Sequence, residues 1–232
     1  MDKNKDIFGR AIKAYFENKD RTPIMVHSPD FDDDEILPEY LFRNFEEMPP
    51  IEQAALKLCK GKVLDVGCGA GSHALYLQNS EKLEVKAIDT SPRAIEITKK
   101  RGIYSAACIN FFELENEKFD SMLFLMNGSG IIGKLENIPR FFKKCREILK
   151  ETGKILMDSS DLVYLFDEKP AEHPYYGELQ FSLSYKGESS STFDWLYIDE
   201  EMLKFYAAKN KFSCKIVKRG EHFDYLAQLK PL

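Results

Sequence analysis

The sequence predicts an α/β protein, a doubly wound and mostly parallel sheet with helices on both faces. Short, mostly apolar runs such as residues 63–66 and 85–88 alternate with stretches of helical periodicity such as residues 135–149. This alternation is typical of βαβ units. Residues 122–126 are apolar at every position. Such a run is expected of a central strand that helices cover on both sides.

One stretch carries most of the functional information. Residues 63–72 read Val-Leu-Asp-Val-Gly-Cys-Gly-Ala-Gly-Ser, which predicts a strand that turns through glycines into a helix at residues 73–78. Glycine lets the backbone bend tightly and lets a ligand approach closely. Amide N–H groups at a helix start can then face the ligand, so the stretch is expected to form a nucleotide cradle. The spacing Gly67-x-Gly69-x-Gly71 differs from the G-x-G-x-x-G of dinucleotide-binding proteins.

Two acidic residues accompany the glycines. Asp65 lies two residues before the first glycine, where its carboxylate can accept hydrogen bonds from a cationic ligand. Asp89 ends the second apolar run and precedes Thr90. An acidic residue at the end of the second strand can bind both hydroxyls of a ribose. The two positions together favour a ligand with a ribose and a positive charge.

With both acidic residues in a βαβ unit, the chain resembles the class I S-adenosylmethionine-dependent methyltransferases over about residues 51–158. The resemblance rests on Val-Leu-Asp-Val-Gly-Cys-Gly-Ala-Gly and on Ala-Ile-Asp-Thr-Ser-Pro. It implies S-adenosyl-L-methionine as the cofactor, and a seven-stranded sheet of order 3-2-1-4-5-7-6 with an antiparallel last strand. It also implies the cofactor-binding residues Asp65, Gly67, Cys68, Gly69, Gly71, Asp89, Thr90, Asn110, Phe111 and Met126.

Asn110 and Phe111 follow the predicted third strand, residues 106–109. In the resembled family an acidic or amide side chain at this place contacts adenine, and its neighbour packs against the ring. Asn110 offers both a donor and an acceptor, and Phe111 offers a ring face. The alternative is a turn asparagine beside core aromatic residues.

Asn127 follows the predicted fourth strand and lies beside Gly128 and Gly130. The carboxyl end of this strand is expected at the point where such sheets bind ligands. We therefore expect Asn127 to position the methyl acceptor. The amino-methyltransferases of nucleic acids carry an Asn/Asp-Pro-Pro-aromatic tetrad here, which this sequence lacks. That departure disfavours methylation of nucleic-acid bases.

The catalytic residue stays unassigned among four candidates. Tyr40 belongs to an aromatic stretch, residues 37–45, which in similar methyltransferases closes over the cofactor or the acceptor. His27 and His173 lie in segments that can reach the acceptor, and a histidine can act as a general base. Asn127 completes the set. Packing is the alternative explanation for Tyr40, and simple surface exposure is the alternative for the two histidines.

The chain is predicted to form one methyltransferase domain with four segments. Residues 1–50 form a helical and acidic cap, residues 51–160 the cofactor-binding core, residues 161–198 an inserted loop and hairpin, and residues 199–232 a closing helix and two strands. The acidic residues 30–35 are either a solvated loop or a flap over the cofactor. The insert is expected to overhang the site and to influence the choice of acceptor.

Composition limits the classes of partner. The net charge of −5 over 232 residues disfavours a broad nucleic-acid footprint, which needs clustered positive charge. The five cysteines are scattered, without a C-x-x-C pair, so neither a metal site nor a disulfide framework is expected. No apolar run is long enough to span a membrane, and no signal peptide is evident. We expect a cytoplasmic protein, and the oligomeric state stays open.

The predicted function is methyl transfer from S-adenosylmethionine to a small molecule by in-line displacement. Three alternatives remain open at this point. The first is a protein that binds the cofactor but only regulates or scaffolds a partner, and the second is a methyltransferase that acts on protein or RNA. The third is a nicotinamide-dependent oxidoreductase, which the glycine spacing disfavours.

Overall fold

A computed structural model describes residues 6–166 and 175–232. The helices are α1 (Ile7–Asn18), α2 (Pro50–Leu58), α3 (Ser72–Asn79), α4 (Pro92–Lys100), α5 (Ile138–Ile148) and α6 (Glu200–Lys209). The strands are β1 (Ile24–His27), β2 (Asp34–Ile36), β3 (Lys62–Val66), β4 (Glu84–Asp89), β5 (Ser105–Cys108), β6 (Phe119–Phe124), β7 (Leu149–Ser160), β8 (Glu178–Tyr185), β9 (Glu188–Ser189), β10 (Phe193–Leu196), β11 (Phe212–Arg219) and β12 (Asp224–Pro231).

Within the described residues, a seven-stranded sheet has the order β11-β12-β7-β6-β3-β4-β5. β4 pairs with β5 and β6 pairs with β7 in parallel. β12 runs antiparallel to both of its neighbours, β7 and β11. If the strands of this sheet are renumbered 1 to 7 in chain order, from β3 to β12, the order read from β5 to β11 is 3-2-1-4-5-7-6. The last strand of the chain, β12, is the antiparallel one. The predicted fold class is confirmed.

A second, smaller sheet has the order β10-β8-β1-β2, and β9 pairs with β8. β8 and β10 are the two strands of the predicted inserted hairpin, which is therefore confirmed. β1 and β2 were not predicted. Residues 34 and 35, which belong to the segment expected to be a loop or flap, lie in strand β2 instead. The sequence pattern missed this strand because backbone pairing with β1, rather than alternating apolar side chains, holds it in place.

The chain divides into two compact units, each described by itself below. The first unit covers the described parts of Met1–Met48, Leu64–Glu113 and Gln180–Phe193. The second unit covers those of Pro49–Val63, Leu114–Leu179 and Asp194–Leu232. Within the part of the chain that the structure describes, no helix has the length and apolar character that crossing a membrane requires.

In the second unit, α5 starts later than its predicted bounds. A 3-10 turn over Leu135–Asn137 precedes it, and a proline lies in its first turn. Proline is favoured there because its missing N–H would have no partner within the helix. The predicted amphipathic stripe is present, since Phe141, Phe142 and Cys145 on α5 are all buried.

In the first unit, the N-terminus of α1 is held by Asp6, which is fully buried. One carboxylate oxygen caps α1 by accepting the N–H of Gly9 at 3.0 Å. The other accepts the hydroxyl of Ser91 at 2.9 Å and the backbone N–H of Arg93 at 3.3 Å. Since Ser91 is itself the N-cap of α4, one carboxylate connects the starts of two helices.

We expect Asp6→Ala to lower the free energy of unfolding by about 3 kcal/mol. The loss combines about 1 kcal/mol for an N-cap with about 1.5–3 kcal/mol for a hydrogen bond to a charged group. Urea unfolding of Asp6→Ala, Ser91→Ala and the double variant measures it. Because the two side chains are bonded, the single losses are expected not to add in the double variant. Strictly additive losses would show that the contact carries no energy.

Candidate functional site

The glycine loop of the first unit joins β3 to α3. Its three glycines have φ values of +71° (Gly67), +52° (Gly69) and +82° (Gly71), a region that glycine enters without strain. A Cβ on Gly71 would lie 2.9 Å from Cγ2 of Thr98, whereas a Cβ on Gly67 would meet no atom within 4 Å. Gly71 is therefore needed for packing inside the protein, and the surface at Gly67 is open for a ligand.

Backbone amides of this loop are already bonded inside the protein. Gly67 and Cys68 both donate to the carbonyl of Ile88, at 2.9 and 3.0 Å. Gly69 donates to Oδ2 of Asp89 at 2.9 Å. These three loop amides are therefore used by the neighbouring strand end, so the prediction that amides face a ligand now applies only to the start of α3 at Ser72. The loop can offer a ligand a close, side-chain-free surface rather than an anion cradle.

Asp89 lies at the end of β4 and is partly exposed. Besides Gly69, the backbone N–H of Ser91 donates to it, at 2.8 Å to Oδ1. A carboxylate can accept about four hydrogen bonds, so each oxygen retains capacity for a ligand hydroxyl. Burial raises the pKa of Asp89, and the amides of Ser91 and Gly69 oppose that shift.

Asp65 and Cys68 are buried, at 2% and 6% exposure. Burial raises the pKa of the Cys68 thiol well above its ordinary value, and the nearby carboxylates of Asp89 and Asp65 raise it further. Cys68 is therefore a neutral thiol. A reactive cysteine needs the opposite, electropositive environment. Cys68 can line a site but is not a nucleophile.

The residues after β5 differ in accessibility. Asn110 is exposed, and its Oδ1 accepts the backbone N–H of Phe112 at 2.9 Å, which leaves its NH₂ group for a ligand. Phe111 is only 2% exposed, whereas Phe112 is half-buried and meets the Phe111 ring edge-on. Phe112 is thus the more accessible ring, which the sequence analysis missed. Thr90, beside Asp89, is exposed.

Helix α1 contributes two residues that sequence reasoning did not assign to the site. A Cβ on Gly69 would lie 3.9 Å from Phe8 and 4.0 Å from Ile12. Both side chains therefore lie close to the glycine loop. The helical periodicity of α1 identifies them as apolar but does not tell which surface they pack on.

Two of the acceptor-side candidates lie in the first unit. Tyr40 is 43% exposed, and its ring stacks on the guanidinium of Arg43 at 4.0 Å. His27 has contacts at both ring nitrogens: Nδ1 lies 2.8 Å from Oδ2 of Asp33, and Nε2 lies 2.8 Å from Oγ of Ser184. A substrate proton would reach Nε2 only after Ser184 moved away. His173 lies outside the described residues.

In the second unit, Met126 and Asn127 follow β6 with φ values of +66° and +56°. Asp158 at the end of β7 accepts the N–H of Met126 at 3.1 Å and that of Gly128 at 2.8 Å. Oδ1 of Asn127 accepts the hydroxyl of Ser160 at 2.8 Å. Asp158 was not predicted as a site residue, although an acidic residue ending an apolar strand is a visible signal.

Strand β10 of the insert packs on the same loop. A Cβ on Gly130 would overlap the indole of Trp195, so glycine is required there. The hydroxyl of Ser129 donates to the carbonyl of Leu196 at 2.8 Å. The insert thus contacts the loop that carries Asn127.

A model of the methyltransferase domain family matches residues 63–153. A SAM-dependent methyltransferase from Bacteroides fragilis, solved in complex with S-adenosyl-L-homocysteine, is 46% identical and superposes with a TM-score of 0.94 over 100% of this chain and 98% of that chain. This chain belongs to the S-adenosylmethionine-dependent methyltransferases. The predicted family, cofactor and enzyme class are confirmed. The nicotinamide-dependent alternative is therefore wrong.

More distant solved structures share the fold of this methyltransferase. The CcbJ methyltransferase from Streptomyces caelestis is 14% identical, with a TM-score of 0.64 over 79% of this chain and 90% of that chain. The sugar N-methyltransferase KedS8 from Streptoalloteichus is 13% identical, with a TM-score of 0.57 over 78% of this chain and 85% of that chain. No curated protein sequence matches significantly.

Proposed function

We propose that this methyltransferase, acting as one domain over residues 1–232, methylates a small-molecule acceptor by in-line displacement. The observation that carries the proposal is the packing of Trp195 on Gly130. The insert thereby covers part of the loop that carries Asn127, and a covered loop suits a small acceptor better than an extended polymer. The net charge of −5 supports the same choice over nucleic acid.

We infer that S-adenosylmethionine binds to Asp65, Gly67, Cys68, Gly69, Gly71, Asp89, Thr90, Asn110, Phe111 and Met126. The open surface at Gly67 and the remaining hydrogen-bonding capacity of Asp89 suit a bulky ligand with two vicinal hydroxyls. The bound cofactor supplies an activated methyl group on a sulfonium. The chain's own contribution is to orient the reactants and to exclude water.

Catalysis by positioning, rather than by a strong general base, is what the candidate residues support. The amide of Asn127 does not take up a proton under ordinary conditions, and both nitrogens of His27 already have partners. We therefore assign Asn127 to acceptor positioning. Tyr40, His27 and His173 remain candidates for further contacts to the acceptor.

Label transfer tests this proposal. The protein is incubated with methyl-labelled S-adenosylmethionine and a cell extract divided into low-molecular-mass, protein and RNA fractions. Label is expected in the low-molecular-mass fraction, and Asp89→Ala is expected to abolish it. Label found only in the protein or RNA fraction would contradict the proposal that the acceptor is a small molecule. Tight cofactor binding without transfer to any fraction would favour the regulatory or scaffold alternative.

A further inference from the structure

Two consecutive non-glycine residues, Met126 and Asn127, have a left-handed backbone after β6. L-residues other than asparagine and aspartate avoid this conformation because Cβ comes too close to the following carbonyl oxygen, so the strain lies mainly at Met126. Such strain persists only where the surrounding structure enforces it, and it concentrates at functional sites. Something in this unit must therefore hold the turn.

Asp158 supplies the enforcing contacts. Its two oxygens accept the N–H groups of Met126 and Gly128, at 3.1 and 2.8 Å. One carboxylate therefore fixes the backbone on both sides of Asn127. Asp158 is only 9% exposed. Its strand is aligned with β6, because Phe124 pairs with Met157 in parallel register. Hydrogen bonds to an ionised acceptor are stronger than neutral ones.

Ser160 orients the side chain of Asn127. Its hydroxyl donates to Oδ1 of Asn127 at 2.8 Å. The carbonyl end of the amide is thereby engaged, and the NH₂ end, which only donates, is left for a ligand. A donor placed on the nucleophilic atom itself would compete for the lone pair that attacks the methyl group. The NH₂ group must therefore bind a neighbouring oxygen of the acceptor.

We propose that Asp158 is a positioning residue that holds Asn127 so that its NH₂ group binds a carbonyl or carboxylate oxygen next to the methylated atom of the acceptor. This inference rests on the proposed function, which assigns Asn127 to the acceptor. The inference restricts the acceptor to small molecules that carry a carbonyl or carboxylate oxygen next to the methylated atom. Asp158 acts through the backbone and Asn127, without touching the reacting atoms.

Side-chain NMR tests the inference without knowledge of the acceptor. On ¹⁵N-labelled protein saturated with S-adenosylhomocysteine, sodium acetate is expected to shift the Nδ2 signals of Asn127, and methylammonium chloride is not. Asp158→Asn, likewise saturated with S-adenosylhomocysteine, is expected to abolish the acetate shift. Absence of an acetate shift in the wild-type protein, or an undiminished shift in Asp158→Asn, would overturn the inference.

The matched control is Asp120→Asn, since Asp120 also accepts a backbone N–H, that of Lys62 at 2.8 Å, but lies at the start of β6. It is expected to keep the acetate shift. If Asp158→Asn does not fold, Ser160→Ala replaces it, and this variant is expected to weaken the shift.

The rate of label transfer from S-adenosylmethionine, measured at increasing amounts of the low-molecular-mass fraction, gives a second readout. Asp158→Asn is expected to raise the amount of fraction needed for half-maximal rate by about tenfold, as the loss of one useful hydrogen bond implies. Asn127→Ala is expected to do the same, and the double variant no more than either, because both changes remove one interaction. Additive effects would contradict a role through Asn127. Failure of the proposed function would appear separately, as absence of label transfer by the wild-type protein.

Discussion

Asp89→Ala is expected to weaken the binding of S-adenosylmethionine and S-adenosylhomocysteine by a factor of about 100 or more. Hydrogen bonds to a charged group contribute about 1.5–3 kcal/mol each, and two ribose hydroxyls would lose their acceptor. A loss of about 3–6 kcal/mol corresponds to a factor of at least about 100 in the dissociation constant. Calorimetric titration with both ligands measures the change.

The unliganded Asp89→Ala variant is expected to fold. Because burial raises the pKa of Asp89, the folded protein holds this proton to higher pH than the unfolded chain does. Ionisation of Asp89 therefore lowers stability as the pH rises through the range between the unfolded and the folded pKa. At neutral pH, removal of the charge offsets part of the loss of the two amide hydrogen bonds.

Asp120→Ala is the matched control for Asp89→Ala. Asp120 also accepts a backbone N–H, that of Lys62 at 2.8 Å, and it pairs with Lys150 at 2.8 Å. Its removal is expected to leave cofactor affinity unchanged. Wild-type affinity in a folded Asp89→Ala variant would show that Asp89 does not bind the ribose.

Alanine at Gly67 and at Gly71 is expected to damage two different properties. Gly71→Ala combines a left-handed backbone with a contact of 2.9 Å to Thr98, so unfolding free energy should fall by about 2–4 kcal/mol. Gly67→Ala meets no protein atom within 4 Å and should cost only the backbone strain of about 1–2 kcal/mol. Its methyl group would instead occupy the surface assigned to the cofactor, and affinity should fall at least about tenfold.

Gly187→Ala separates backbone strain from ligand contact. Gly187 has a φ of +78° and, like Gly67, open space where a Cβ would lie. It is expected to lose similar stability in urea unfolding and to keep full cofactor affinity in calorimetry. If Gly67→Ala behaves like Gly187→Ala in both measurements, the cofactor does not lie against Gly67.

Local features of this protein were predictable from the sequence because they depend on neighbours in the chain. The apolar run of β6 and the amphipathic stripe of α5 arise from side-chain periodicity within a few residues. The turn at Gly67, Gly69 and Gly71 is equally local. Together with Asp89 one strand later, it was enough to predict the fold class, the family and the cofactor.

Contacts between distant residues were decided only by the tertiary structure. Asp158 accepts hydrogen bonds from Met126 and Gly128, which lie about thirty positions earlier in the sequence. His27 forms a hydrogen bond with Ser184, which is even more distant in the sequence. Strand β2 forms because its backbone pairs with β1. The residues of β2 show no periodicity that would predict a strand. The sequence by itself therefore determined the fold class, the family and the cofactor of this methyltransferase. The tertiary structure decided which backbone and side-chain groups are already engaged, because hydrogen-bond partners are chosen by proximity in space and not by order along the chain.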